Sequence, residues 1–436
     1  MLAESLVKLD PGALPGERDQ SETQLQKILA IVRKHLKMDA AFLSEFTGGR
    51  RYFRFVDAEP DSVVKVGGSD PLEDSYCQRV VDGRLPELMQ DAGQNAEALT
   101  LPVTRALPVG AHISVPIRLA DGRLYGTLCC FSAEPDFSLN ARDLDVLKAF
   151  GAIASELIGI SIQQREKQEE KRRRIVDAVV NAGFEPYYQP IYRVQDDQLV
   201  GFEALTRFKG QPYRTPDVWF REAAEVGMAI DLEYAAIHAA LRGLRDLPPQ
   251  TTLAINLSPE AVMSPKLDEL LALMPLGRLI LEITEHAAVA DYGALNAVLG
   301  RYRANGLKLA ADDAGAGYSC FRHVLDMRPD VIKLDMSLTR DIDKDPARAA
   351  LAGALTIFGR SIDAEIVAEG VETVAELDAM RAIGVTKVQG YLLGKPQPLA
   401  IAKQTPMTAP LDLKSAGAAP HLVVVGSPGT TQRHQD

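Results

Sequence analysis

The sequence predicts an α/β protein in two parts: an α+β domain around one central antiparallel sheet, then a TIM-like (β/α) barrel. Two observations carry this reading. From residue 184 onward, short β-rich segments alternate with amphipathic helical ones over roughly 220 residues, the pattern of a barrel wrapped by helices. Ahead of it, a helix, two hairpin signals and a closing helix fit an α+β domain with one central sheet. At 436 residues the chain predicts two or three domains, each large enough for its own core.

Residues 1–20 are rich in Pro, Gly and charge and read as a flexible leader. Over 22–37, Leu25, Ile28, Leu29, Ile31, Val32 and Leu36 recur at helical spacing. Strands at 41–46 and 52–56 join through Gly48-Gly49, and a second hairpin runs 112–119, Asp121-Gly122, 124–131. A helix capped by Asn140 follows, with Leu144, Leu147, Gly151, Ala154 and Ile158 on one stripe. Its pattern turns charged over 163–174 and then apolar again at Ile175, Val176, Ala178 and Val179, with no Pro or Gly between 160 and 182. The sequence therefore predicts a first domain over 21–165, a continuous linking helix over 141–182 and a barrel domain over 183–405. The charge run reads as a solvated helix face, with a parallel dimer seam as the sharper alternative. Barrel strands are expected at 187–191, 199–207, 252–257, 279–284, 307–312, 331–334, 365–368 and 387–391. Beyond 405 the Ala, Pro, Gly and Ser content predicts a disordered tail over 406–436.

Composition narrows the function classes. A formal net charge of −11 with no long Lys/Arg face argues against a duplex nucleic-acid binder. The cysteines Cys77, Cys129, Cys130 and Cys320 have no zinc spacing and read as reduced thiols. The N-terminal Met-Leu-Ala-Glu-Ser-Leu-Val-Lys lacks an apolar signal-peptide core, and the apolar run 150–162 is too short to span a bilayer and carries Glu156. A cytoplasmic protein without membrane association is expected.

The chemistry sits at the strand ends. Asp312 and Asp313 stand side by side after Lys-Leu-Ala-Ala, ahead of a glycine-rich turn. Adjacent strand residues face opposite ways, so two buried carboxylates there are not both ordinary core and call for cations. Glu203, Asn256, Glu282, Lys333, Glu369 and Gln389 take comparable places on the other strands. In a barrel those ends converge on one face. Five carboxylates with an Asn and a Gln, and no clustered His or Cys, fit an oxygen-rich site for two hard cations. Hydrolysis of a phosphate ester suits such a site. Glycoside hydrolysis is the competing chemistry; it needs only two carboxylates and an aromatic platform, and this segment has one Trp, Trp219.

The ordered series Tyr188-Gln189-Pro190-Ile191, Glu203-Ala-Leu-Thr-Arg207, Ile-Asn256-Leu-Ser, Leu-Glu282-Ile-Thr-Glu285, Asp312-Asp313-x-Gly-x-Gly-Tyr, Ile-Lys333-Leu-Asp335, Ala-Glu369-Gly-Val-Glu372 and Gln389-Gly-Tyr-Leu-x-Gly394 resembles the EAL domains, cyclic di-GMP phosphodiesterases. The resemblance covers 184 to about 403. It implies two Mg²⁺ or Mn²⁺ ions per active site: one on Glu203, Asn256, Glu282 and Asp312, the other on Asp312, Asp313 and Glu369. It also implies that Lys333 orients or deprotonates the attacking water and Gln389 helps position it. Arg207 would contact a substrate phosphate, Gln189 and Leu205 would line the nucleotide groove, and Glu285 would tether the loop after the aspartate pair and support activation of a homodimer. The family's Asp-Asp-Phe-Gly-x-Gly-Tyr-Ser-Ser is altered here, with Ala314 for Phe and Cys320 for the last Ser, which implies a looser coupling loop.

The first domain is similar to GAF sensor domains through Ala40-Ala-Phe-Leu-Ser-Glu-Phe, Asp74-Ser-Tyr-Cys77 and Ser114-Val-Pro-Ile-Arg…Gly126-Thr-Leu-Cys-Cys-Phe-Ser. This implies a small-molecule ligand of that domain. Cys77 reads as a structural thiol rather than a bilin anchor, since no His follows it. The joint reading is a sensor-regulated phosphodiesterase that converts cyclic di-GMP to linear pGpG. A catalytically silent cyclic di-GMP receptor is the alternative, and a scaffold that binds no nucleotide stands behind both.

Overall fold

The computed structural model describes residues 20–60, 62–106, 109–284, 289, 291–314 and 320–409. The expected leader, Gln20 apart, and the expected tail from 410 onward lie outside the described residues. Chain contacts separate two compact units between Glu170 and Lys171.

In the first unit, helix α1 (Gln20–Leu36) turns Leu25, Leu29, Val32 and Leu36 onto a six-stranded antiparallel sheet. The sheet order is β3 (Ser69–Pro71), β2 (Arg50–Ala58), β1 (Ala40–Thr47), β6 (Leu124–Ser132), β5 (Ala111–Arg118) and β4 (Leu88–Met89). Strand alternation sorts the side chains onto two faces. Ala41, Leu43, Ile113, Ile117, Leu128 and Cys130 form one apolar core with the helices. Phe42, Phe53, Cys129 and, from helix α2 (Tyr76–Val81), Cys77 share a second. Helix α3 (Ala141–Val180) starts where Asn140 Oδ1 accepts from Arg142 N at 3.0 Å. Gly151 on α3 is required by close approach, since a Cβ there would stand 3.1 Å from Val115 Cγ2.

The second unit closes eight strands, β7 (Phe184–Arg193), β8 (Leu199–Phe208), β9 (Thr252–Asn256), β10 (Leu279–Thr284), β11 (Lys308–Ala314), β12 (Val331–Leu334), β13 (Glu365–Ala368) and β14 (Lys387–Val388), through the pairing of β14 with β7. The first strand departs from the expected barrel pattern. It runs antiparallel to both neighbours, because the short turn at 194–198 leaves no length for a crossover helix before β8. Strand β8 also continues five residues past Glu203, so Glu203 sits mid-strand opposite Gln189 rather than at a strand end. Helices including α4 (Pro216–Glu225), α5 (Ala229–Gly243), α6 (Tyr292–Arg303), α7 (Pro346–Ser361) and α8 (Val374–Ile383) cover the barrel. Residues 406–409, assigned by composition to the loose tail, pair instead with the β7–β8 turn: Leu199 N donates to Met407 O and Ala409 N to Asp197 O, both at 2.8 Å. Among the described residues no helix is long and apolar enough to cross a membrane.

The barrel interior is layered. Ile191, Ala254, Ile280, Ala310, Val331 and Val367 form an apolar floor. Because inward side chains recur every second residue, the next layer toward the C-terminal ends of β9–β13 is Gln189, Asn256, Glu282, Asp312, Lys333 and Glu369. The loop after β14 holds Gln389 in that layer by close backbone packing: a Cβ on Gly390 would stand 2.0 Å from Val371 O. Gly390→Ala should therefore cost about 1–3 kcal/mol of unfolding free energy, measured by urea titration, through overpacking at a backbone contact that cannot yield.

Candidate active site

Lys333 stands at the centre of the polar layer. Its Nζ is 2.7 Å from Glu369 Oε1, 2.9 Å from Glu282 Oε2, 3.0 Å from Asp312 Oδ1 and 3.5 Å from Glu203 Oε2. The residue is 1% exposed. Burial alone would lower an ammonium's pKa, but the carboxylates outweigh it and hold Lys333 well above its ordinary value. The carboxylates show the opposite strain. Burial raises Glu282 well above the usual range against the pull of Lys333, and pushes Glu369 up to about 8 despite the same cation.

Amides tie the remaining oxygens together. Gln389 Nε2 donates to Glu203 Oε2 at 2.6 Å and to Gln189 Oε1 at 3.1 Å, while Gln189 Nε2 donates to Gly394 O at 3.1 Å. Asn256 Nδ2 donates to Glu203 Oε1 at 3.3 Å from an exposed position at the rim. The parallel register that sets Glu282 beside Asn256 brings these two strands' polar ends together.

The aspartate pair is arranged differently from the strand alternation expected for it. Pairing of β11 with β12 shifts register between Ala311 and Ala314, and Asp313 takes a left-handed φ of 59°. A bulge of this kind re-aims side chains, and Asp tolerates the left-handed region better than most residues. Asp312, Asp313 and Glu369 consequently offer carboxylate oxygens that all lie within 4.8 Å of one another. Ala314, where the family has Phe, is buried in the outer core and pairs with Leu334. Glu285 and the glycine-rich turn 315–319 lie outside the described residues.

These residues suit hard divalent cations. The donor set is entirely oxygen, and its carboxylates outnumber the one ammonium among them. Asp312 Oδ1 and Gln389 Oε1 are buried without a hydrogen-bond donor. Asp312 Oδ1 has Lys333 as an ion-pair partner, so its charge is compensated in part while its lone pairs remain undirected.

Leu205 and Arg207 are not part of the lysine cluster. They line an adjoining cleft of about 290 Å³ with Asn256, Phe220, Ile237 and Glu233. Arg207 donates to Thr206 O at 3.1 Å and lies over the Tyr187 ring. Glu233, on α5, is the residue that sequence reasoning missed. Burial raises its carboxyl, while Ser258 N donates to its Oε2 at 3.0 Å. A lone Glu in an amphipathic helix carries no sequence signal; only the packing of α5 against β7 and β9 aims it at the cleft.

The EAL domain family profile matches residues 172–396, and a GAF domain profile matches residues 20–158. An uncharacterized signaling protein of Caulobacter vibrioides is 29% identical over 378 residues, 84% of this chain and 45% of its own length. A probable cyclic di-GMP phosphodiesterase of Escherichia coli, PdeD, is 32% identical over 225 residues, 50% of this chain and 42% of its own length. The chain thus spans about half the length of the curated relatives it matches. A solved structure of the EAL enzyme Bd1971 in its cAMP-bound form shares the fold with a TM-score of 0.51 at 20% identity, covering 67% of this chain and 92% of that one.

Removing the cation tests the electrostatic account without any substrate. Lys333→Met should destabilise the protein by about 3–5 kcal/mol at pH 8 in chelator, since it strands buried carboxylates. The loss should shrink toward pH 5. A carboxyl whose folded pKa exceeds its unfolded one favours the folded state below the unfolded value and opposes it as pH rises through the folded value. Denaturation curves at the two pH values check the sign.

Proposed function

Since the chain belongs to the EAL domain family, we propose that it is a phosphodiesterase that hydrolyses cyclic di-GMP to linear pGpG, with the N-terminal GAF domain as its sensory input. The observation that carries this reading is the buried cluster of Glu203, Glu282, Asp312 and Glu369 around Lys333, joined through Asn256, which bonds Glu203, to the cleft of Leu205 and Arg207 that Asn256 also lines. Glu203, Asn256, Glu282 and Asp312 would hold one Mg²⁺ or Mn²⁺, and Asp312, Asp313 and Glu369 a second. When bound, the ions supply Lewis-acid stabilisation of the oxygens that gain charge as a phosphodiester is cleaved.

The chain's own groups have separable tasks in this proposal. Lys333, held by four carboxylates at the centre of the layer, would orient the attacking water or take its proton. Gln389, fixed by Glu203 and Gln189, positions the same water through its free carbonyl oxygen. Arg207 would pair with a phosphate, and Gln189 and Leu205 would line the groove. Glu233 is the right chemical type to accept from the amide edge of a guanine, which presents N–H donors to a carboxylate.

Purified protein with Mn²⁺ should convert cyclic di-GMP to pGpG, and Glu203→Ala should lower kcat/KM by at least about 100-fold, the scale of losing a group that holds the reacting centre. Intact dinucleotide retained on the protein without turnover would favour the silent receptor; wild-type turnover by the variant would overturn the mechanism. In the same assay Glu233→Ala should raise KM about tenfold with kcat nearly unchanged, the signature of a binding contact made equally in ground and transition states.

A further inference from the structure

The second face of the first sheet holds a reactive group that the barrel chemistry does not use. Cys77 on α2 and Cys129 on β6 bring their Sγ atoms to 3.1 Å, and both residues are fully buried. Arg51 Nη1 donates to Cys77 Sγ at 2.8 Å, Ser114 Oγ lies 2.8 Å from Cys129 Sγ, and Cys129 Sγ donates to Thr127 Oγ1 at 3.1 Å. Arg51 is itself 5% exposed, lies over the rings of Phe42 and Phe53, and is ion-paired to Asp70 on its other side. The guanidinium is thereby clamped with one edge toward sulfur. Cys130, one residue along β6, faces the opposite, apolar core with no such partners among the described residues.

We propose that Cys77 and Cys129 are a peroxide-oxidised pair that closes to a reversible disulfide, a modification site within the GAF domain. A thiol buried in apolar surroundings is inert, whereas one beside a fixed cation is a nucleophile. Burial opposes ionisation of Cys77, but the hydrogen bond with Cys129 and the charge of Arg51 outweigh it and bring the thiol down to about 6. Cys129 is driven the other way, by burial and then by its contact with Cys77. Cys77 is thus the sulfur disposed to attack peroxide, and Cys129, 3.1 Å from it, is the one placed to resolve.

The steps balance with hydrogen peroxide as oxidant. The Cys77 thiolate attacks one peroxide oxygen, the O–O bond breaks and hydroxide leaves, giving the sulfenic acid. Cys129 sulfur then attacks Cys77 Sγ; the S–S bond forms, the S–O bond breaks, and water leaves with the Cys129 proton. The proton that Cys77 first released neutralises the hydroxide, so two thiols and one peroxide give one disulfide and two waters. A bond length near 2.05 Å requires the sulfurs to close by roughly 1 Å, within reach of side-chain rotation. Val64 shares the buried cluster with the pair, and the segment that carries it exposes Val63 and Val66 at 64% and 65%, so peroxide would enter by local opening of that segment.

The test uses the full chain carrying Cys130→Ser, so that the adjacent cysteines are not confused, treated with hydrogen peroxide at pH 7. The expected result is a loss of two hydrogens in intact mass, a non-reducing peptide map joining the Cys77 and Cys129 peptides, and reversal by dithiothreitol. Adding Cys129→Ser should abolish the crosslink and leave a sulfenic acid on Cys77 that dimedone traps. The oxidation rate should be nearly flat from pH 7 to 9, and in Arg51→Met it should climb by about tenfold or more over that range as an ordinary thiol ionises. A Cys77 that stays reduced while Cys320 oxidises overturns the proposal. So does a crosslink that excludes Cys129, or an Arg51→Met profile as flat as the parent's.

Discussion

The barrel is organised around one ammonium buried among four carboxylates. Nothing else in the described interior reconciles that much negative charge with a dry protein centre. The Coulomb attraction of such contacts offsets a desolvation penalty of several kcal/mol per ion only when geometry is close and the remaining lone pairs are satisfied. Lys333 meets the first condition at 2.7–3.5 Å, and the Gln389–Glu203 and Asn256–Glu203 hydrogen bonds meet part of the second. What they leave over is the acceptor capacity of Asp312 Oδ1 and Gln389 Oε1, both buried without a hydrogen-bond donor. The site's stability and its chemistry are therefore two aspects of one charge balance.

That balance depends on backbone features more than on strand ends as such. A barrel with strict alternation would deliver Asp312 inward and Asp313 outward. The register shift after Ala311 and the left-handed Asp313 gather both near Glu369. The antiparallel β7 has a comparable effect on the other side. Because it pairs with β8 residue for residue, Gln189 falls opposite Glu203, and a polar group enters the layer from a strand running the other way. The apolar floor of Ile191, Ala254, Ile280, Ala310, Val331 and Val367 then sets hydrocarbon directly beneath the charges.

Most of this was legible before any coordinates. The alternation of strands and helices indicated the barrel, and the recurring polar residues indicated the layer in which they gather around Lys333. Three things were not legible, each for a physical reason. The direction of β7 depends on turn length, which a β-rich pattern does not encode. The bulge at Asp313 depends on a backbone dihedral that Asp permits but does not announce. The place of Glu233 depends on how α5 packs, and a single acidic residue on a helix is usually a solvated face. In the first domain the two hairpins and the helix stripe were readable from period and turn residues. The clustering of Arg51 with Cys77 was not, since 26 positions separate them and their meeting is a matter of sheet order.

The excess of carboxylates also bears on the choice between turnover and silent binding. Glu203, Glu282, Asp312, Asp313 and Glu369 outnumber Lys333, and burial already holds Glu282 and Glu369 above the usual carboxyl range, so full ionisation of the set would leave an excess of negative charge. A phosphodiester is an anion, and like charges at contact distance in a low-dielectric site repel by several kcal/mol. Binding such a ligand therefore requires that cations be drawn in first, so in this arrangement the means of binding and the means of cleavage coincide. A protein that only held the dinucleotide would gain affinity by shedding these carboxylates, whose burial costs stability and whose charge opposes the ligand. On the proposed reading, their presence together with Lys333 and Gln389 is the physical argument for hydrolysis over silent binding.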